Sequence, residues 1–211
     1  MKKTIVAFAS ITLITFSACK KDSTSINTQG CTITGTVRTV NDLPADTVVG
    51  VDPQTFQGYG ADKKTYFNLS TSSIVTGNDT TGLNWDLAFI GTKIYLNSIA
   101  GSQSGAFIYN GSYDALCSVP DSTFKTDVGN TRAISGWYNY DGVNVTINPI
   151  PGKVIVVKTA DGKYAKLEIL NYYKGGVTPT PATDPNYQIR TYNSRYYTFR
   201  FTYQGNGTKN F

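Results

Sequence analysis

Over residues 196–203 the side chains alternate without a break: Tyr197, Phe199, Phe201 and Tyr203 fall on one side, Thr198, Arg200 and Thr202 on the other. A repeat of two places those aromatics on one face of a β-strand and leaves no continuous apolar stripe for a helix. Residues 153–159 are rich in Val and Ile, and residues 164–170 follow after Asp161-Gly162. Gly accepts the positive φ that a tight turn demands, so the pair predicts a β-hairpin. Residues 32–40, 66–69, 85–90, 93–97, 105–109 and 143–147 are further strand candidates, and Gly, Asn, Asp or Pro stands in nearly every gap. Two segments lack the pattern. Residues 120–134 hold few apolar side chains and fit a short helix, with Asp121 as its cap, or a long loop. Residues 175–187 carry Pro179, Pro181 and Pro185 and read as a loop. No repeat or compositional break divides the chain. The expectation is one all-β domain over residues 31–211, mainly antiparallel, with at most one short helix.

The first 30 residues follow another logic. Lys2 and Lys3 precede an apolar run over residues 5–16, and Ser17-Ala18 stand before Cys19. That is the pattern of an export signal over residues 1–18, too short for a membrane span of about 20 residues. A cysteine directly after small residues predicts a lipobox, with Cys19 acylated and anchored in a bilayer; Phe16 departs from the Leu usual three positions earlier. Residues 19–30 are polar and aperiodic and read as a flexible tether. Loss of the signal leaves 17 basic residues against 14 acidic, scattered rather than striped, which argues against nucleic acid as a partner. In an oxidising compartment Cys31 and Cys117 fit either a disulfide or two free thiols.

Composition removes whole classes of chemistry. The 211 residues contain no histidine, and the single methionine is Met1. No Ser or Thr therefore has an imidazole to activate it, and no Gly-x-Ser-x-Gly elbow occurs. Glu168, the sole glutamate, alternates between Leu167 and Ile169 and is expected on a solvated face. Most aspartates stand in turn contexts such as Asp141-Gly142 and Asp184-Pro185. Asp86, between Trp85 and Leu87, is expected to hold backbone amides. Neither a catalytic residue nor a metal site can be assigned, and an enzyme is not expected.

The aromatics remain. The chain has 15 Tyr, 10 Phe and 2 Trp. Tyr109 and Tyr113 flank Asn110-Gly111, while Trp137, Tyr138 and Tyr140 cluster before Asp141-Gly142. Such rings offer flat contact area with a polar tip, suited to a planar ligand or a partner protein. They are the ligand-site candidates, with core filling as the alternative.

Three elements together resemble one family. They are Trp85-Asp86-Leu87-Ala88-Phe89, Thr159-Ala160-Asp161-Gly162-Lys163-Tyr164-Ala165-Lys166, and Tyr196-Tyr197-Thr198-Phe199-Arg200-Phe201-Thr202-Tyr203. In this order they resemble the HmuY-like lipoproteins of Bacteroidetes, over roughly residues 47–211. The resemblance implies an all-β fold with a single helix and display at the outer membrane, outward-facing or periplasmic. It also implies capture of haem or a related tetrapyrrole for a TonB-dependent receptor. Haem binders of the family hold iron with His or Met pairs, which no residue after Met1 can supply here. Tyr109, Tyr113, Tyr138 or Tyr140 would offer a tyrosinate instead, or a tetrapyrrole would be held by stacking with Lys or Arg on its propionates. The alternative is an accessory lipoprotein that kept the fold and binds a protein partner.

Overall fold

The structure, a computed structural model, describes residues 35–55, 57–181 and 183–211. The expected signal and tether, with Cys19, and the first residues of the expected domain, with Cys31, lie outside the described residues.

Among the described residues, thirteen strands carry the fold. They are β1 (Val37–Pro44), β2 (Gly50–Val51), β3 (Gly58–Tyr59), β4 (Thr65–Asn68), β5 (Ser73–Val75), β6 (Leu87–Ile90), β7 (Lys93–Leu96), β8 (Gly105–Asn110), β9 (Tyr138–Asp141), β10 (Thr146–Pro149), β11 (Lys153–Lys158), β12 (Tyr164–Tyr173) and β13 (Ser194–Gln204). One short helix, α1 (Tyr187–Tyr192), precedes the last strand. A five-stranded sheet runs β1-β13-β12-β11-β8, and a four-stranded sheet runs β5-β4-β6-β7. Two ribbons, β2-β3 and β9-β10, complete an antiparallel set. The all-β expectation is met. Its one helix lies at Tyr187–Tyr192, at the end of the Pro-rich segment, whereas residues 120–134 are irregular with isolated bridges.

The alternation in β13 explains the core. Tyr197, Phe199 and Phe201 are fully buried and meet Phe67 and Phe89 of the facing sheet. Leu87, Ile94, Ile155, Val157, Ala165 and Leu167 fill the space between the sheets. Asp86 plays the structural part expected of it. Its carboxylate accepts the Leu69 N–H at 2.8 Å and the Ala160 N–H at 3.1 Å, joining the two sheets. Burial pushes that carboxyl up from the usual range, against the pull of the two amides. The turn at Asp161-Gly162 forms as the sequence predicts, with Gly162 at φ 81°.

The outer face of the five-stranded sheet is covered rather than solvated. Tyr113, Leu116, Val119 and Phe211 pack there on Phe107, Val154 and Val156. Glu168 is accordingly not a solvated side chain: it accepts from Arg200 Nε at 2.8 Å, and the same guanidinium meets Asp114 through two nitrogens. Beside this network Lys166 is fully buried, and its Nζ donates to the carbonyls of Tyr113 and Leu116 at 2.7 and 2.8 Å. Burial pushes its ammonium down to about 8, partly offset by Asp114 and Glu168 and reinforced by Arg200.

A pH dependence follows. Between pH 8 and 10 the unfolded chain keeps a lysine proton that folded Lys166 has released, so stability rises with pH. Above pH 10 the unfolded chain releases tyrosine protons that buried Tyr113, Tyr172 and Tyr197 retain, because burial raises them, and stability falls again. Urea unfolding should gain about 2 kcal/mol from pH 8 to 10. Lys166→Met should flatten that rise; an unchanged slope in the variant would assign it to another group.

Candidate functional site

The residues that build the site come from six separate elements: β3, β9, β10, β12, α1 and β13. Strand β12 keeps its alternation to Ile169, then slips against β13 on both sides of Asn171. The slip turns Tyr172 and Tyr173 together toward the inner layer, where each is 3% exposed, and leaves Leu170 outside. The β9-β10 ribbon lies against this end of β12, where the Tyr173 hydroxyl accepts the Ile147 N–H at 2.8 Å. From the other side come α1 and the start of β13, braced on the β2-β3 ribbon. A side chain at Gly58 would stand 2.6 Å from Thr191 Cγ2 and 2.9 Å from Val48, so only glycine permits this approach. Arg195 locks the junction by donating to the Gly58 carbonyl and pairing with Asp46 at 3.3 Å.

These elements enclose a cavity of about 400 Å³. Tyr140, Tyr172 and Tyr173 supply its rings, Val145 and Ile147 apolar wall, and Arg190 and Arg195 its positive charge. Burial raises the Tyr172 phenol well above the usual range. Burial raises Tyr173 as well, opposed by the Ile147 amide that bonds its oxygen. Both phenols therefore stay neutral near pH 7. Among the described residues no cluster of three or more carboxylate or thiol groups is arranged for a metal ion.

The five aromatic candidates do not converge. Tyr140 lines the cavity and is 60% exposed. Tyr138 is half-buried beside it, its hydroxyl donating to Thr92 Oγ1 at 3.4 Å. Trp137 is a core residue, 2% exposed, with its indole N–H on the Thr92 carbonyl at 3.2 Å and its ring against Tyr138 and Tyr197. Tyr109 and Tyr113 belong to the outer cluster, across the five-stranded sheet from Trp137. Tyr113 is 1% exposed, and its hydroxyl bonds Thr202 Oγ1 at 2.7 Å. Its buried, satisfied position makes it structural. Tyr172, Tyr173, Arg190 and Arg195 were not singled out from the sequence, although the adjacent pair Tyr172-Tyr173 breaks the alternation before it. Cys117 is disulfide-bonded.

The HmuY protein family model matches residues 60–183. Among solved structures, the chain is similar to Apo PinO from Porphyromonas gingivitis (12% identity, 81% of this chain and 98% of that one, TM-score 0.47). It is also similar to a candidate lipoprotein from Bacteroides fragilis (20% identity, 74% and 93%, TM-score 0.43). A third is the Apo HmuY analog of Tannerella forsythia (13% identity, 81% and 95%, TM-score 0.39). No curated protein sequence matches the chain. With the family's model spanning more than half of its length, the chain belongs to the HmuY family.

Proposed function

We propose that this protein is a surface-displayed outer-membrane lipoprotein, held by acylated Cys19, that binds haem or a related tetrapyrrole and passes it to a TonB-dependent receptor without catalysis. Its family is one of binding proteins. The observation that carries the reading is the cavity itself, in which three tyrosine rings and two guanidinium groups line one opening. Rings stack on a flat macrocycle, and guanidinium groups suit its carboxylates.

The donor set fits the periphery of a tetrapyrrole better than its iron. No histidine exists, and Met1 is the only methionine. The Tyr173 oxygen is engaged by the Ile147 amide, and Tyr172 is buried with its proton tightly held. Tyr140 is the accessible phenol of the wall and the one assigned to iron. For Cys117, the proposed disulfide partner is Cys31, because Cys19 is committed to lipid.

The test is a haemin titration of the signal-free Cys19→Ser protein, followed by absorbance in ferric and ferrous states. A saturable Soret shift at one equivalent is expected, and Tyr140→Phe should alter its ferric spectrum. No saturable change would sink haem capture and favour an accessory lipoprotein that binds a protein partner. That second reading draws on exposed apolar side chains of the two ribbons, where Val143 is 90% and Tyr59 55% exposed.

A further inference from the structure

Arg190 is a buried cation. The side chain lines the cavity and the residue is only 7% exposed. Its Nη1 donates to the Asp184 carbonyl, while its Nε is buried without a hydrogen-bond partner. Arg132 also has a buried Nε without a hydrogen-bond partner, but the other arginines of the interior each face an acid. Arg195 pairs with Asp46, Arg132 with Asp127, and Arg200 with Asp114 and Glu168. Among the described residues no carboxylate forms such a pair with Arg190.

A guanidinium does not lose its proton at any ordinary pH, so burial cannot be relieved by neutralisation. A buried, unpaired charge is unfavourable, and the fold keeps it beside an open cavity. The planar fork suits a carboxylate, which it can hold through two parallel N–H donors. The rings of Tyr140, Tyr172 and Tyr173 share the same space, as do Val145 and Ile147. They require that the carboxylate be attached to a flat, apolar body.

We propose that Arg190 anchors the carboxylate of a flat aromatic acid bound in this cavity, while Arg195, already held by Asp46, shapes the wall. This assigns the acid side chains of a tetrapyrrole to Arg190 and so rests on the preceding reading for the identity of the ligand, but not for its chemistry.

The experiment separates the two. The signal-free Cys19→Ser protein and its Arg190→Gln and Arg190→Lys variants are titrated with haemin, haemin dimethyl ester, 1-pyrenebutyrate and 1-pyrenebutanol. The acid should bind at least roughly tenfold tighter than the alcohol. Arg190→Gln should erase that preference and leave the alcohol unchanged, and Arg190→Lys should restore part of it. Haemin should likewise exceed the dimethyl ester. If Arg190→Gln fails to fold, as judged by its melting curve, the acid-to-alcohol ratio in the parent protein and in Arg190→Lys decides. Equal affinity for acid and alcohol, or no binding of either, overturns the anchor. An Arg190-dependent preference for pyrenebutyrate without haemin binding upholds the anchor and overturns the tetrapyrrole reading.

Discussion

Trp137→Ala is expected to lower the stability of the protein by about 3–5 kcal/mol, the usual loss for truncating a large ring in a packed core. Trp137 is 2% exposed, contacts Tyr138, Tyr172 and Tyr197, and gives its indole N–H to the Thr92 carbonyl. Its removal leaves a void and an unpaired carbonyl. For a domain of this size the melting temperature should fall by roughly 10 °C. Three residues away, Tyr140→Ala should change stability by no more than about 0.5 kcal/mol, because the ring is 60% exposed. Its effect should appear in haemin affinity. Thermal melts and titrations of the two variants check both sides of the contrast. A stable Trp137→Ala protein with weakened binding would return the indole to the ligand site.

The second large effect is expected at Cys117. Its bond to the proposed partner Cys31 would close a loop of about 85 residues, for which chain entropy alone gives roughly 3–5 kcal/mol. Cys117 also lies where the last strand's extension ends, since its carbonyl accepts the Phe211 N–H at 2.8 Å. Cys117→Ser and Cys31→Ser should each lower the urea midpoint by the same amount, and the double variant by no more than either. Mass spectrometry of the unreduced protein should show peptides containing Cys31 and Cys117 joined. Unequal losses would break the pairing, and a peptide joined to Cys19 would break both the pairing and the lipid anchor.

The sheets were legible because their signal is local. In β13 every second residue is aromatic, and the burial of Tyr197, Phe199 and Phe201 follows from that repeat. Asp86 could be read because a lone carboxylate inside an apolar strand must find amides. Short elements such as β2, β3 and β5, two or three residues each, carry too little sequence to show a period. Helix α1 has six residues, below the length at which an apolar stripe becomes visible, and tertiary packing holds it.

The cavity was illegible for another reason. Its wall joins residues from β3, β9, β10, β12, α1 and β13, and no spacing in the sequence brings Ile147, Tyr173 and Arg190 together. Aromatic richness pointed to loops, yet Trp137 and Tyr113 were drawn into the two apolar layers while Tyr140 was left at the mouth. The misreading of Glu168 has the same origin. Alternation shows which face a side chain takes, but not that residues 113–119 and Phe211 cover that face.

The slip in β12 gives Tyr172 and Tyr173 two duties, since each belongs to the core and to the cavity wall. Variation at these two positions is therefore constrained: a change that suits a new ligand also weakens the domain. The lip is unconstrained in this sense, because Tyr140, Val145, Thr55 and Gln57 are exposed and carry little of the packing. Diversification of ligand preference on this scaffold should run through the lip, with the inner wall held fixed by the demands of folding.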